Sequence, residues 1–239
     1  MIRILAETGS TNADLVALGR DAREGDWLVA RRQTAGKGRA GRPWEDGAGS
    51  FMGSTVVALR PGDRLPQTLA LVTGLAVAEA VAAVPGAPHV MLKWPNDLLV
   101  DGAKLAGILL ERAGDSVVIG VGVNLLRAPA VAGRRTTALA DHGAPIEPGA
   151  FADLLADCFA SVLARWRGGG WDALRADWLA RAHAVGTPLS VNDRDGRPIV
   201  GAFAGLGGDG AALLRLADGT TRPIHAGDVE MVSNDAARA

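Results

Sequence analysis

Apolar residues recur at helical spacing in four segments of the chain. A Thr-x-x-Asp pattern at residues 11–14, typical of a helix start, predicts a short helix that ends at about residue 23. A run of small apolar residues over 69–84 predicts a buried helix. The segments 151–166 and 171–182 place apolar residues three and four apart, which predicts two amphipathic helices.

Extended apolar runs between these helices predict six strands, at 27–30, 55–59, 90–94, 97–100, 104–111 and 117–123. Asp101-Gly102 lies between the fourth and fifth runs and is typical of a tight hairpin turn, because glycine accepts a positive φ. Helices and strands are mixed along this part of the chain, so we expect an α+β domain over residues 1–183.

The pattern changes near residue 185 to short apolar runs without helical spacing. Asp- and Gly-rich turn sequences at 192–196, 207–210 and 218–219 separate these runs. Short strands at such intervals are typical of small antiparallel barrels. We therefore predict a second, all-β domain over residues 184–239.

Composition and charge narrow the class of protein. The 239 residues include 25 Lys and Arg against 26 Asp and Glu, so the net charge of -1 gives no general attraction to nucleic acid or anionic membrane. The run 69–84 is interrupted by Thr73 and Glu79 and is too short and polar to span a bilayer. The single Cys158 can form no internal disulfide, and the N-terminus lacks a secretory apolar segment. A cytoplasmic protein without a membrane partner is expected.

A basic, glycine-rich segment over residues 31–42 stands out from this balanced charge. It contains no acidic residue and five cations: Arg31, Arg32, Lys37, Arg39 and Arg42. Glycines at 36, 38 and 41 let backbone NH groups approach an anion, and guanidinium groups match the geometry of carboxylates and phosphates. The segment predicts a local anion site, with a phosphorylated substrate as the natural ligand.

Two other interpretations apply to this segment. The spacing Gly36-x-Gly38-x-x-Gly41 satisfies the dinucleotide-binding fingerprint, but Pro43 and the residues 45–49 that follow do not continue as the required helix, and the Lys-Ser/Thr of a P-loop is absent. A solvated basic loop without a ligand is the other alternative.

The complete stretch Gly36-Lys37-Gly38-Arg39-Ala40-Gly41-Arg42-Pro43-Trp44 closely resembles the biotin-binding loop of biotin–protein ligases, whose usual form is Gly-Arg-Gly-Arg-x-Gly-Arg-x-Trp. Four further segments follow the order of that family: Ser10-Thr11-Asn12, Gln33, Lys93-Trp94-Pro95-Asn96-Asp97 and Lys104-Leu105-Ala106-Gly107-Ile108-Leu109. The resemblance runs from residue 7 to about residue 124. The C-terminal part matches only in its position and in its pattern of short apolar runs separated by turns.

This resemblance implies a fold and a reaction. The fold is a class II synthetase-like mixed sheet flanked by helices, followed by a small SH3-like β-barrel. The reaction uses ATP and Mg²⁺ to activate biotin as biotinyl-5'-AMP and then transfers the biotinyl group to a lysine of a biotin carboxyl-carrier protein. Joining two anions requires fixed cations and a metal ion to neutralise charge.

The resemblance also assigns roles to individual residues. Lys104, Arg39 and Lys93 are the expected catalytic residues. Biotin is expected to contact Ser10, Thr11, Asn12, Gln33, Lys37, Gly38, Arg39 and Lys104. ATP or the adenylate is expected to contact Arg39, Arg42, Trp44, Lys93, Asn96, Asp97 and Asn124, with Asp97 also the expected Mg²⁺ ligand.

Each of these residue types also has an ordinary structural explanation. Thr11 suits a helix cap, Lys104 an exposed strand lysine, and Lys93 with Asp97 a surface ion pair. Trp44 suits the core, and Asn124 suits a turn.

The chain departs from the family pattern at three places. Lys37 stands where the family often has an arginine, so the charge is kept but the bidentate geometry of a guanidinium group is lost. Residues 50–54 differ from the usual Gly-x-Asn-Leu-x-x-Ser run, so the pocket wall near them is expected to differ in shape. Only nine residues precede Ser10, too few for a winged helix-turn-helix, so no DNA partner is expected.

Three questions stay open. A lipoate–protein ligase shares the chemistry but not the loop, and a non-catalytic module could bind an anion or nucleic acid, although the balanced charge and the lack of an aromatic platform argue against it. An edge of the sheet could mediate homodimerisation or carrier docking, and the sequence selects neither.

We also expect residues 36–44 to become ordered only when ligand binds.

Overall fold

The computed structural model describes residues 1–45, 47–192, 198–225, 227 and 229–231. A seven-stranded sheet with the strand order β1-β2-β3-β7-β6-β5-β4 forms the centre of the larger part. Its strands are β1 (Ile2–Leu5), β2 (Trp27–Ala30), β3 (Phe51–Ala58), β4 (Met91–Lys93), β5 (Asp97–Val100), β6 (Ala103–Ala113) and β7 (Ser116–Val123). The β1–β2 pair is parallel and the other neighbouring pairs are antiparallel, which confirms a mixed sheet.

Four α-helices cover this sheet: α1 (Thr11–Leu18), α2 (Leu69–Ala82), α3 (Pro148–Arg167) and α4 (Trp171–Ala180). Side chains alternate between the faces of a strand. On one face, Val29, Val57 and Val117 belong to the large core that includes α2 and α3. On the other face, their neighbours Leu28, Val56 and Val118 pack around Leu15 of α1. The helices therefore flank the sheet on both sides.

The C-terminal part is an antiparallel five-stranded sheet with the order β11-β10-β9-β8-β12. Its strands are β8 (Pro188–Asn192), β9 (Pro198–Leu206), β10 (Ala212–Arg215), β11 (Thr221–Ile224) and β12 (Val229–Met231). The all-β character is confirmed. The turn predicted at 192–196 lies mostly outside the described residues, and the division between residues 183 and 184 stays a prediction.

Two indole groups connect the sheets. Trp94 Nε1 donates to the carbonyl oxygen of Gly210 at 3.1 Å, and Trp171 Nε1 donates to that of Gly208 at 2.7 Å. Trp94 lies beside Lys93 and Asn96, so these contacts bring the C-terminal sheet next to two predicted site residues.

Several predicted boundaries need correction. The first helix ends at Leu18 rather than near residue 23, because Gly19 adopts φ 54° and a short 3-10 turn follows. Strand β3 begins at Phe51 rather than residue 55, since pairing with β7 extends to the Phe51–Val123 pair. Strand β1 was not predicted. The hairpin at Asp101-Gly102 is confirmed, with φ 48° and 75° at its two residues. Within the described ranges, no helix is long and apolar enough to cross a membrane.

Candidate active site

A single cavity of about 780 Å³ brings together all fourteen residues that the sequence singled out. They are Ser10, Thr11, Asn12, Gln33, Lys37, Gly38, Arg39, Arg42, Trp44, Lys93, Asn96, Asp97, Lys104 and Asn124. Ser54 and Gly120 also line the cavity. Ser54 lies two residues before Val56 on β3, and Gly120 lies two residues after Val118 on β7, so both are on the face that packs against α1. The cavity therefore opens on the α1 face of the sheet.

The glycine-rich loop, residues 36–44, folds back on itself above this face. The backbone NH of Gly38 donates to the carbonyl oxygen of Arg42 at 2.7 Å, and that of Trp44 donates to the carbonyl oxygen of Gly36 at 2.9 Å. The turn is completed by Ala40 and Gly41 at φ 54° and 72°. Residues 39–41 form one 3-10 turn and no helix follows, so the dinucleotide-binding interpretation is wrong.

Arg39 connects the loop to both parts of the protein. Its Nη1 donates to Asn96 Oδ1 at 3.2 Å, and its Nη2 donates to the carbonyl oxygen of Gly227 at 3.1 Å. Asn96 is itself fixed, because its Nδ2 donates to the carbonyl oxygen of Ile108 at 2.7 Å. The guanidinium group is therefore held against the cavity in a defined position.

The indole of Trp44 lies on a floor made by two glycines. Gly107 of β6 and Gly122 of β7 are directly paired across the sheet. A Cβ atom added at Gly122 would lie 2.3 Å from Trp44 Cζ2, and one added at Gly107 would lie 3.1 Å from Trp44 Cζ3. The two glycines thus leave the space that the indole occupies. Trp44 Nε1 is buried and meets no hydrogen-bond partner among the described residues.

Lys104 and Asp97 form an ion pair inside the cavity. Lys104 Nζ lies 2.5 Å from Asp97 Oδ1, and the two side chains are 13% and 15% exposed. Burial lowers the pKa of Lys104, and the neighbouring Asp97 opposes that shift. Lys104 is therefore not the exposed strand lysine of the alternative interpretation, and the ion pair of Asp97 is with Lys104 instead of Lys93.

Hydrogen bonds fix the polar wall at the start of α1. Ser10 is the N-cap, since its Oγ accepts from Ala13 NH at 3.4 Å, so the helix-cap interpretation of Thr11 is wrong. Thr11 instead donates its backbone NH to Gln33 Oε1 at 2.8 Å, and its Oγ1 lies 2.7 Å from Ser54 Oγ. Both Thr11 and Asn12 are buried.

Asn124 closes the cavity at the end of β7. Its Nδ2 donates to the carbonyl oxygen of Thr137 at 3.1 Å and to that of Lys104 at 3.4 Å. Its Oδ1 is buried and has no hydrogen-bond partner among the described residues. With Nδ2 directed at two backbone carbonyl groups, Oδ1 is an acceptor that no described group satisfies.

Met52, Gly53 and Ser54 line the cavity, which agrees with the pocket wall expected at residues 50–54. The sequence did not single out Gly120, which lies on a strand whose faces it did not assign, or Arg134, Arg135 and Thr136, which lie in a loop without a motif. Residues 135 and 137 hydrogen-bond to the backbone of Lys104 on either side. Arg134 is close enough to contribute to the lowered pKa of Lys104. The sequence feature that could have indicated this part of the site was the pair Arg134-Arg135 after Gly133.

The fold and the cavity define a class of protein: an enzyme whose site, on one face of a mixed sheet, combines a buried Lys–Asp pair with a basic loop suited to anionic substrates. The profile of the biotin/lipoate A/B protein ligase family matches residues 9–124, and that of the biotin protein ligase C-terminal domain matches residues 188–232. The chain belongs to the biotin/lipoate A/B protein ligase family.

Similar proteins cover nearly the whole chain. The biotin–[acetyl-CoA-carboxylase] ligase of Paracoccus denitrificans is 38% identical over 89% of this chain and 93% of its own length. The enzyme of the same name from Mycobacterium tuberculosis is 39% identical over 95% of this chain and 87% of its own. The biotin protein ligase of Aquifex aeolicus, solved with biotin and ATP, shares the fold with a TM-score of 0.86, at 24% identity over 97% of this chain and 99% of its own.

Proposed function

We propose that this protein is an ATP-dependent biotin–protein ligase, which activates biotin as biotinyl-5'-AMP and transfers the biotinyl group to a lysine of a biotin carboxyl-carrier protein. The observation that carries the proposal is that all fourteen motif residues line one cavity around the buried Lys104–Asp97 pair. The names of the two curated relatives support the same activity.

The first step joins two anions. A biotin carboxylate oxygen attacks the α-phosphorus of ATP, a P–O bond to the β-phosphate breaks, and pyrophosphate leaves. Charge develops on the phosphoryl oxygens, so fixed cations stabilise the transition state more than the ground state. We assign this role to Lys104 and Arg39, whose positions are fixed by Asp97 and Asn96, and to Lys93 at the phosphates.

The second step breaks the mixed anhydride. The carrier lysine nitrogen attacks the acyl carbon, the bond to the phosphate oxygen breaks, AMP leaves, and the nitrogen releases a proton. Lys104, held next to the biotin carboxylate, would also stabilise negative charge on the phosphate oxygen that leaves. A closed loop at 36–44 would keep water from the adenylate before the carrier arrives.

The two ends of the cavity would hold the two small substrates. Biotin would lie along the wall of Ser10, Thr11, Asn12 and Gln33, with its carboxylate toward Lys37, Gly38, Arg39 and Lys104. The nucleotide would contact Arg42, Trp44, Lys93, Asn96, Asp97 and Asn124. Asn124, at the end of β7, would contact the adenylate from the floor of the cavity.

Asp97 is the carboxylate that would face Mg²⁺. Magnesium prefers oxygen ligands and commonly takes one or two carboxylates together with phosphate oxygens and water. In the part of the chain that is described, no group of three or more His, Cys, Asp or Glu side chains is arranged to hold a metal. Asp97 lines the cavity and would supply one carboxylate ligand beside the ATP phosphates, where the ion would neutralise charge.

A transfer assay tests the proposal against its alternatives. The protein is incubated with ATP, Mg²⁺, a biotin carboxyl-carrier domain and either radiolabelled biotin or radiolabelled lipoate. We expect label on the carrier lysine with biotin only, and none on a carrier whose target lysine is replaced by alanine. Transfer of lipoate but not biotin would identify a lipoate ligase, and transfer of neither would favour a non-catalytic module.

Two finer points belong to the same proposal. We propose no DNA partner, supported by the net charge of -1; a mobility shift showing tight operator binding at physiological salt would contradict it.

We also propose that the protein forms a homodimer through the β1 edge of the seven-stranded sheet. The edge strand β1 supports this, because Ile4 on that strand is 46% exposed. Sedimentation of the wild-type protein and of Ile4→Lys tests it: a wild-type monomer would contradict the dimer, and an Ile4→Lys dimer would exclude this edge.

A further inference from the structure

Five hydrogen-bonded polar side chains form one wall of the cavity and its support. The chain of hydrogen bonds begins at Glu111 of β6, whose Oε2 accepts from Asn12 Nδ2 at 2.6 Å. Asn12 Oδ1 accepts from Ser54 Oγ at 2.6 Å, and Ser54 Oγ lies 2.7 Å from Thr11 Oγ1. Thr11 in turn contacts Gln33 Oε1 through its backbone NH and, at 3.1 Å, through Oγ1.

The direction of each hydrogen bond in this chain follows from the first. A carboxylate only accepts, so Asn12 must turn its NH₂ toward Glu111 and its oxygen toward Ser54. Ser54 has a single hydroxyl hydrogen and gives it to that oxygen. Thr11 has one hydroxyl hydrogen for two contacts, with Ser54 Oγ at 2.7 Å and with Gln33 Oε1 at 3.1 Å. Because Ser54 has no hydrogen left to give and its contact is the shorter one, we assign the Thr11 hydrogen to Ser54, and the longer Thr11–Gln33 contact then carries no hydrogen.

The result is a wall with a defined pattern of donors and acceptors. Thr11 Oγ1, with its hydrogen committed to Ser54, offers lone pairs. Gln33 Oε1 is held by the backbone NH of Thr11, so Gln33 Nε2 is the free donor of that amide. An acceptor beside a donor complements an N–H next to a carbonyl, which is the edge of a cyclic urea.

We propose that Ser54 and Glu111 are positioning residues for substrate recognition. Ser54 lines the cavity but is fully buried, and Glu111 is not among the residues that line it, so we assign both an effect through Thr11. They fix the Thr11 hydroxyl as an acceptor and so select a ligand that presents an N–H at that point. The proposal rests on the proposed function, because the ligand with a cyclic urea is biotin.

The packing around the chain supports a fixed orientation. Ser54 is fully buried, and Thr11 and Asn12 are 3% and 4% exposed, so each polar atom must find its partner inside the protein. Gly120 lies directly opposite Ser54 in the sheet. A Cβ atom at Gly120 would lie 2.5 Å from Asn12 Oδ1, so the glycine makes the room that the Asn12 amide occupies.

Ser54→Ala removes the middle of the chain and releases the Thr11 hydrogen, which can then turn to Gln33 Oε1 or to an acceptor on the ligand. We expect the KM for biotin in biotin-dependent ATP–pyrophosphate exchange to rise about tenfold, with kcat and the KM for ATP within about twofold of wild type. Glu111→Leu should act in the same direction. Glu111→Gln keeps an oxygen for Asn12 and should restore most of the affinity. Asp157→Leu, at an exposed position of α3, is the matched control and should behave as wild type.

A specificity measurement separates positioning from simple structural support. The probes are the two cyclic carbamate analogues of biotin, in which one or the other ureido N–H is replaced by oxygen. Wild type should reject the analogue that turns oxygen toward Thr11 by at least about a hundredfold in kcat/KM. In Ser54→Ala the Thr11 hydroxyl can donate to that oxygen, so the preference for biotin should narrow by about tenfold.

The outcomes are distinct. Wild-type protein that activates no biotin refutes the proposed function itself. Active wild type whose preference for biotin over both carbamates is unchanged in Ser54→Ala and Glu111→Leu overturns the positioning role. A parallel rise in the KM for ATP in both variants would also overturn it, because the effect would then be a general distortion of the cavity. If Ser54→Ala fails to fold, Glu111→Leu at the half-buried end of the chain decides alone.

Discussion

Replacing Gly122 with alanine should damage the site through one defined contact. The new Cβ atom would lie 2.3 Å from Trp44 Cζ2 and 2.4 Å from Trp44 Cε2, whereas carbon atoms pack at about 3.5–4.0 Å. The indole would therefore have to move by more than about 1 Å. It cannot slide sideways toward Gly107, because the other end of the ring already lies close to that residue.

A misplacement of about 1 Å in a site can lower the rate about a hundredfold. We therefore expect kcat/KM for biotin-dependent ATP–pyrophosphate exchange to fall by about that factor, which corresponds to about 2.7 kcal/mol. The free energy of unfolding should fall by only about 1 kcal/mol, the low end for an overpacked site, because the loop that carries Trp44 can yield. Exchange kinetics and thermal unfolding measure the two quantities.

Two comparisons identify the cause. Gly149→Ala places a Cβ atom 3.8 Å from its nearest neighbour, an ordinary contact, and should leave activity unchanged. In a Trp44→Ala background the further effect of Gly122→Ala should nearly disappear, because the atoms that clash are gone. Wild-type kinetics for Gly122→Ala, or a full additional loss in the Trp44→Ala background, would refute the reasoning.

Three other predictions follow from the same structure. Lys104→Ala should slow biotinyl-AMP formation about 10²–10³-fold, which is far more than it disturbs folding; wild-type turnover would remove Lys104 from the mechanism. The guanidinium of Arg167 lowers the pKa of Glu24 from its ordinary value of 4.5, so Arg167→Leu should lower the free energy of unfolding by about 1–3 kcal/mol at pH 7. This loss should become smaller as the pH falls through the lowered pKa of Glu24. Denaturant titrations in which the two proteins differ by the same free energy at all pH values would contradict the prediction. Amide exchange in residues 36–44 should slow when biotin binds; slow exchange before binding, unchanged by biotin, would count against an ordering loop.

Local motifs were sufficient to predict which residues share the cavity. The order of the Ser10, Gln33, Lys93 and Lys104 segments along the chain already indicated one site, and the structure places them together. The five cations within residues 31–42 predicted an anion site in this loop, and three of the five line the cavity. These signals are local, since each depends on residues that are neighbours in sequence.

The residues behind the wall could not be predicted in this way. Asn12 meets Ser54 and Glu111, which are 42 and 99 positions away along the chain. Their contacts depend on the register of β3, β6 and β7 and on the absence of a side chain at Gly120. Strand register is a property of pairing between distant segments, and a single strand sequence does not contain it. The start of β3 at Phe51 was missed for the same reason.

The Lys104–Asp97 pair illustrates how pairing changes the interpretation of single residues. Lys93 and Asp97 are near neighbours in sequence and are opposite each other in the β4–β5 hairpin. Asp97 nevertheless bonds to Lys104. Lys93 therefore keeps no ion pair with Asp97, and Asp97 would be shared between Lys104 and the proposed metal ion.

Trapping the intermediate tests the central claim most directly. The protein is mixed with biotin, Mg²⁺ and ATP labelled at the α-phosphorus, without a carrier, and the products are separated by thin-layer chromatography. The account predicts labelled biotinyl-AMP that forms only with biotin and is converted to labelled AMP when a carrier domain with its target lysine is added. Labelled AMP that forms without biotin, or an adenylate that the carrier does not discharge, would contradict it.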